Sequence, residues 1–338
     1  MTTQNFEAVA AGTEAARRER GFLASATRTN GGIVIVFSLL LLGCIIAGLI
    51  FPSNFRFLHP DNIATVLRSM PLLGIMALGV GILMVSGEFD LSVGSLFLLS
   101  SFVMALAFAD GWAIGWAILA ALAIALVTGI VNGLVTTKLR IPSFIATLGM
   151  MLVLRGITLF ASGGDTSMSF EPGEPVTSIL TASLGIIQVQ FLWLVAFAVV
   201  AYLVLHRHRL GNHFYAVGGN RDAALAVGIN VDRVKMIAFV LASLMAAIAG
   251  IISTTRVNSV TVLGQPFELR AIAACVIGGV FLFGGRGSIL GIFLGASLIY
   301  LVEDILFLSR APGFYLDVIV GAIIVVAVIL NTRFARPG

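Results

Sequence analysis

Charge is scarce in this chain of 338 residues. Asp, Glu, Lys and Arg make up 11% of it, hydrophobic residues 59%, and the mean hydropathy is +1.08. A soluble domain carries about a quarter charged residues. This balance excludes a soluble enzyme, a disordered protein and a nucleic-acid-binding module. Lysine is nearly absent: Lys138 and Lys235 are the only two. Neither stands in the Gly-Lys-Ser/Thr context that a phosphate loop requires, so no nucleotide-hydrolysing site is expected. The two cysteines, Cys44 and Cys275, each lie in an apolar run, which excludes a disulfide framework and suggests buried packing residues. The four histidines are His59, His206, His208 and His213; the last three sit in the inner loop with no carboxylate at metal-ligand spacing, so no zinc site is expected. No nucleophile stands with a base, so no catalytic residue is assigned and the chain reads as a non-enzyme. Its longest polar connections, 162–184 and 207–234, are too short for a domain of at least about 50 residues.

What is present is apolar sequence for roughly ten membrane spans of about 20 residues each. Ten runs stand out: 32–51, 63–85, 92–109, 112–135, 143–161, 185–206, 235–254, 268–284, 287–308 and 314–331. The predicted fold class is an all-α integral membrane protein of about ten transmembrane helices. Pro71 interrupts the second run and the third is short, so a broken or partly inserted helix within 63–109 is an alternative to two plain spans. Residues 1–31 read as a flexible N-terminal tail without a cleaved signal, 32–331 as the membrane domain, and 332–338 as a short C-terminal tail. Placing both termini in the cytoplasm puts 14 of the 20 basic residues inside, among them Arg17, Arg18, Arg20, Arg28, Lys138, Arg140, Arg207, Arg209, Arg221, Arg233, Lys235, Arg286, Arg333 and Arg336. The positive-inside rule favours that orientation. It accounts for the net charge of +4 without a nucleic-acid partner. The outer loop 162–184 carries Asp165, Glu171 and Glu174 and no basic residue.

The inner loop 207–234 has a helical pattern of its own. Asn220 can cap a helix, Asp222 suits its first turn, and Ala223, Ala224 and Ala226 favour it. Gly228 stops it, and Asn230 or Asp232 can cap the next span. The pattern alone fits either a solvated linker or a docking helix for a cytoplasmic partner.

The stretch Tyr215-Ala-Val-Gly-Gly-Asn220, with Asp222-Ala-Ala and Gly228-Ile-Asn-Val-Asp232, resembles the cytoplasmic coupling loop of bacterial ABC importer permeases, nearest the branch that carries ribose and other monosaccharides. Three further stretches agree in order and spacing. They are Gly87-Glu-Phe-Asp90-Leu-Ser-Val-Gly94-Ser, then Pro142-Ser-Phe-Ile-Ala-Thr-Leu-Gly149 with Arg155-Gly156, then Gly278-Gly279 with Gly284-Gly-Arg-Gly-Ser288. The resemblance covers about residues 32–331. It implies a permease in the bacterial inner membrane, paired with a second permease copy or paralogue. It also implies cytoplasmic ATP-binding subunits, which hydrolyse ATP with Mg, and an extracytoplasmic sugar-binding protein. No cofactor is expected on this chain itself. The coupling role falls on Asn220, Arg221, Asp222, Ala223, Ala224 and Gly228. Two departures stand out: Val280-Phe281 replaces the family's frequent Thr-Ser, and Arg270 replaces Asp after Glu268-Leu269.

Ionisable groups within spans are costly and mark functional candidates. Glu88, Asp90 and Ser92 could belong to a pathway or gate; alternatively Asp90 or Ser92 caps a helix while Glu88 meets water. Phe281 and Phe283 could form a hydrophobic constriction. Arg155 calls for a partner, and Arg68 reads as snorkelling. Glu303, Asp304, Arg310 and Asp317 either hold outer helices together or receive a binding protein. Gly129 and Gly133, and Gly287, Gly291 and Gly295, recur at spacing that lets helices approach closely. The leading expectation is a permease importing a monosaccharide or similar polyhydroxylated solute by alternating access. The rivals are an ion-gradient-driven secondary transporter, a branched-chain amino-acid permease and a membrane scaffold.

Overall fold

A computed structural model describes residues 31–163, 167–169, 179–261 and 267–334. The N-terminal tail with its four arginines, together with Asp165, Glu171, Glu174 and Arg336, lies outside the described residues. Each of the ten apolar runs carries a helix. In chain order these are α1 (Gly31–Ile50), α2 (Pro60–Val85), α3 (Val93–Ala109), α4 (Ile114–Thr137) and α5 (Ser143–Ala161). Then come α6 (Val189–Tyr202), which continues as a π-helical turn over Leu203–Arg207, and two short helices, α7 (Arg209–Gly219) and α8 (Arg221–Ala226). The last four are α9 (Val231–Val257), α10 (Phe267–Ile277), α11 (Ile289–Leu308) and α12 (Phe314–Phe334). Two antiparallel strand pairs complete the described chain: β1 (Ser167–Ser169) with β4 (Ser259–Thr261), and β2 (Ser183–Leu184) with β3 (Ile187–Gln188).

Seven of these helical segments are long and apolar enough to cross a bilayer. The eighth run behaves differently from the plain span its hydropathy suggested. Its helix α10 has 11 residues, about 17 Å at 1.5 Å per residue, against a hydrocarbon core of about 30 Å. Gly278 and Gly279 end it, and a glycine-rich turn leads to α11. Pro71 does not break the second run, because α2 is continuous from Pro60 to Val85. The break within 63–109 lies instead at residues 86–92, which are non-helical and largely buried.

The core is built around α2. From Met70 to Val85 every residue is buried, with α6, α9, α10 and α11 packed around it. A helix apolar on all sides is stable only when enclosed in this way. By contrast, α1 and α5 present most of their surface outward. Glycine spacing sets the closest approaches. A side chain at Gly129 would meet Val240 Cα at 2.8 Å, which explains how tightly α4 lies on α9. Both cysteines are free and buried; Cys275 Sγ donates to the Ala77 carbonyl at 3.3 Å.

Candidate functional site

Four segments converge at one end of the helix bundle: the α2–α3 connection, the α7–α8 loop, the start of α9 and the turn between α10 and α11. The local sequence explains each. His208 accepts from the Leu210 amide and starts α7. Asn220 Oδ1 accepts from the Ala223 amide at 3.0 Å and starts α8. Gly228 takes a positive φ of 84° and ends it. Asn230 Oδ1 then accepts from the Arg233 amide at 3.0 Å to start α9. Of the two caps that the sequence allows here, the structure uses Asn230. Asp232 instead pairs with Lys138 at 2.9 Å, fastening α9 to the end of α4.

Glycine backbones carry the contact between the loops. Gly285 N donates to Val85 O at 2.8 Å. A Cβ on Gly218 would lie 2.6 Å from Gly285 N and 3.0 Å from Ser86 C. A Cβ on Gly284 would lie 2.7 Å from Gly87 Cα, and Gly284 and Gly87 both have positive φ, near 85°. Side chains at these points would hold the three loops apart. Tyr215 adds a polar tie: its hydroxyl donates to Gly287 O at 2.8 Å. Burial pushes the Tyr215 phenol up to about 12, so it remains a neutral donor at ordinary pH.

The α2–α3 connection is stitched to its neighbours by groups on α4 and α5. Asp90 is fully buried, and its Oδ1 accepts from the Ser92 amide at 2.7 Å and the Ser92 hydroxyl at 2.5 Å. Asn132 on α4 donates to Asp90 Oδ2 at 3.2 Å and to Ser92 Oγ at 2.9 Å. Thr147 and Ser143 on α5 accept from the Leu91 and Phe89 amides at 3.1 and 3.2 Å. Two of the motifs read separately in the sequence are therefore hydrogen-bonded to each other. Glu88 is largely buried and borders a small polar pocket that Thr136, Arg140 and Asp232 also line. It forms an ion pair with Lys235, and both side chains are mostly buried. The reading of sequence alone missed Asn132 and the pairing of Lys235, and it held Ser143 and Thr147 only as members of the Pro142–Gly149 motif. A lone Asn in the apolar α4 and the small hydroxyl residues after Pro142 were the available signals.

The α8 residues divide by face. Asn220, Arg221, Asp222, Ala223 and Gly228 are exposed. Ala224 is 2% exposed and packs into the chain's own core, so it supports α8 from behind and offers nothing to a partner. Leu225 and Val227, not singled out from sequence, add exposed apolar surface beside the polar residues, Val227 being 75% exposed. Phe281 and Phe283 pack edge to face near this end, 5.5 Å between centroids, with Phe283 exposed. Phe281 also lies under the Arg286 guanidinium.

The remaining singled-out charges lie elsewhere. Arg155 is exposed on α5 and forms no ion pair among the described residues. Arg68 does not simply snorkel; its Nε donates to Gln188 at 3.2 Å. The buried Arg270 lies 3.5 Å from Glu303 and 3.8 Å from Asp317, joining α10, α11 and α12. Asn62 donates to Asp304 at 3.1 Å and joins α2 to α11. These carboxylates hold helices together and account for a cation at position 270. Arg310 is exposed with φ 54° and takes no part in the cluster.

An apolar helical bundle whose buried loop junction backs a short surface helix defines a multi-pass membrane permease. Residues 62–328 match the family described as the permease component of the branched-chain amino acid transport system, and the chain belongs to that family. It is 38% identical over 300 residues to a ribose import permease protein of Bacillus subtilis strain 168, covering 86% of this chain and 89% of the relative. It is 34% identical over 295 residues to an autoinducer 2 import system permease protein of Enterobacter sp. strain 638, covering 86% and 84%. A ribose import permease protein of Escherichia coli K12 is 33% identical over 282 residues, covering 82% and 88%.

Proposed function

We propose that this chain is the transmembrane subunit of an ATP-driven importer for a monosaccharide or similar polyhydroxylated solute. The observation that carries the reading is the α8 junction. A short helix with an exposed face, α8, follows directly on α7, whose glycine end is in backbone contact with the end of α2 and with the turn before α11. Motion imposed on α8 from outside therefore reaches the central helix through the end of α7. Separate cytoplasmic subunits bind and hydrolyse ATP with Mg and dock on Asn220, Arg221, Asp222, Ala223, Leu225, Val227 and Gly228. A second permease copy or paralogue completes the pathway, and an extracytoplasmic binding protein delivers the solute. The chain resides in the bacterial inner membrane with ten membrane-inserted segments, and the α8 end faces the cytoplasm. That end gathers Lys138, Arg140, Arg221 and Lys235, which supports this orientation.

The relatives named for ribose and autoinducer 2 favour a hydroxylated solute over a branched-chain amino acid. A gradient-driven mechanism would need free carboxylates within the membrane domain. Glu88 is ion-paired and Asp90 is hydrogen-bonded, which disfavours the carboxylate pair that the sequence singled out for such a mechanism. The test is uptake of labelled monosaccharides, ribose first, in cells with and without this chain. Uptake that survives collapse of the proton gradient and stops on ATP depletion supports the reading. Uptake that follows the gradient overturns it.

A further inference from the structure

At the end of the bundle remote from α8, a cavity of about 230 Å³ opens between α2, α9 and the β2–β3 hairpin. Arg68, Gln188, Arg256 and Asn258 line it, with Thr181 and Ser183. Arg68 Nε donates to Gln188 Oε1 at 3.2 Å, and Arg256 Nη1 to Ser69 Oγ at 2.6 Å. No described carboxylate lies within 4 Å of either guanidinium. Two cations thus share one small cavity without a carboxylate partner among the described residues. A guanidinium offers five N–H donors in a planar fork suited to a carboxylate, and most of that capacity is unused here.

Two buried atoms extend the pattern. Arg256 Nε, a donor, has no partner, and neither has Asn258 Oδ1, an acceptor. Buried polar groups left unpaired are costly; both atoms are closed off from solvent in this conformation, and the side chains that carry them line the cavity, so a ligand that reorients those side chains gains the missing bonds. An inorganic anion without an O–H group, such as sulfate or chloride, would satisfy the donor and leave the acceptor unmet. A solute carrying both a carboxylate and hydroxyls satisfies both. The cavity, of about 230 Å³, has room for a small solute.

We infer that this cavity is an outward-facing subsite for a hydroxylated carboxylic acid of sugar size. The carboxylate lies between Arg68 and Arg256, and a hydroxyl donates to Asn258. This rests on the importer reading and narrows its substrate class from neutral sugars to sugar acids. Gln188 is a positioning residue: it is 2% exposed and holds the Arg68 guanidinium at the cavity.

The test uses the full chain in lipid nanodiscs. Binding of D-gluconate is compared with binding of the neutral sorbitol, for wild type, Arg256→Gln and Arg68→Gln. Monodisperse elution and an unchanged melting temperature establish that each variant is folded, and Arg256→Lys serves as the charge-retaining variant if Arg256→Gln is not. The expected result is at least tenfold tighter binding of gluconate than of sorbitol in wild type, with that preference lost in both Gln variants. Equal binding of the two probes overturns the inference, as does a preference that survives both substitutions. Absence of gluconate binding, with weaker docking of the delivery protein to Arg256→Gln, also overturns it and assigns the arginines to a partner's carboxylate. Co-purification of an ATP-hydrolysing partner is read separately, so failure here leaves the importer reading intact.

Discussion

Replacing Gly218 with alanine inserts one methyl group where three backbones meet. The added carbon would lie 2.6 Å from Gly285 N and 3.0 Å from Ser86 C, and against the Val85 carbonyl. None of these is a flexible side-chain end, so the loops must move apart. The same intrusion disrupts the 2.8 Å bond from Gly285 N to Val85 O. Overpacking of a tight site costs about 1–3 kcal/mol and a lost hydrogen bond about 1 kcal/mol, giving about 2–4 kcal/mol together. Gly219 next to it is the internal control. A Cβ there would meet Gly285 Cα at 3.8 Å, an ordinary contact, and alanine favours the helical conformation. Melting temperature in detergent and solute uptake are measured for both variants. Gly218→Ala is expected to lower the first and abolish the second, with Gly219→Ala close to wild type in both. If the two variants behave alike, the glycine junction does not transmit motion from α8 and the reasoning fails.

Glu88→Gln leaves Lys235 as an uncompensated, mostly buried cation, and a loss of about 3 kcal/mol is expected in chemical unfolding, largely recovered when Lys235→Met accompanies Glu88→Met. Asn132→Leu removes the donor to Asp90 Oδ2 and Ser92 Oγ; a loss of about 1–3 kcal/mol in the same assay is expected, and wild-type stability would count against the stitched-loop description. Val227→Asp changes an exposed residue, so it should leave the melting temperature unchanged while weakening capture of the ATP-hydrolysing partner in pull-down. Tyr215→Phe should cost about 1 kcal/mol, from the lost bond to Gly287. The folded phenol titrates at about 12 and the unfolded one near 10, so this stabilisation is fully present below pH 10 and is lost as pH rises towards 12. Thermal melts of wild type and variant from pH 6 to 9 should differ by a constant amount.

The sequence made the apolar helices legible because hydropathy reports directly on burial in lipid or protein. It also revealed the short helix α8, since Asn220, the alanines and Gly228 are local signals whose physics does not depend on distant residues. Its limits appear where contacts are long-range. The 11-residue α10 was hidden inside a longer apolar run, because hydropathy does not register a turn that the protein itself encloses. Ala224 looked like a docking residue, yet a six-residue helix lying on a surface must turn one face inward, and only packing decides which. Lys235 is 147 positions from Glu88, and nothing local to either residue announces their pairing. The cation at position 270 stood out only as a departure from the family's pattern until Glu303 and Asp317 came into place around it. Of the two arginines of the remote cavity, Arg68 was read alone, as a snorkelling residue, and Arg256 was not singled out. Their shared cavity exists only in the folded chain.

The most direct test of the account is to isolate the tagged chain from its native membrane in mild detergent and measure ATP hydrolysis by whatever remains bound. The account predicts a stoichiometric ATP-hydrolysing partner, vanadate-sensitive turnover, and loss of that partner when Val227→Asp replaces the wild-type chain. Isolation of the chain without any ATP-hydrolysing partner, with solute uptake abolished by collapse of the proton gradient, would contradict it.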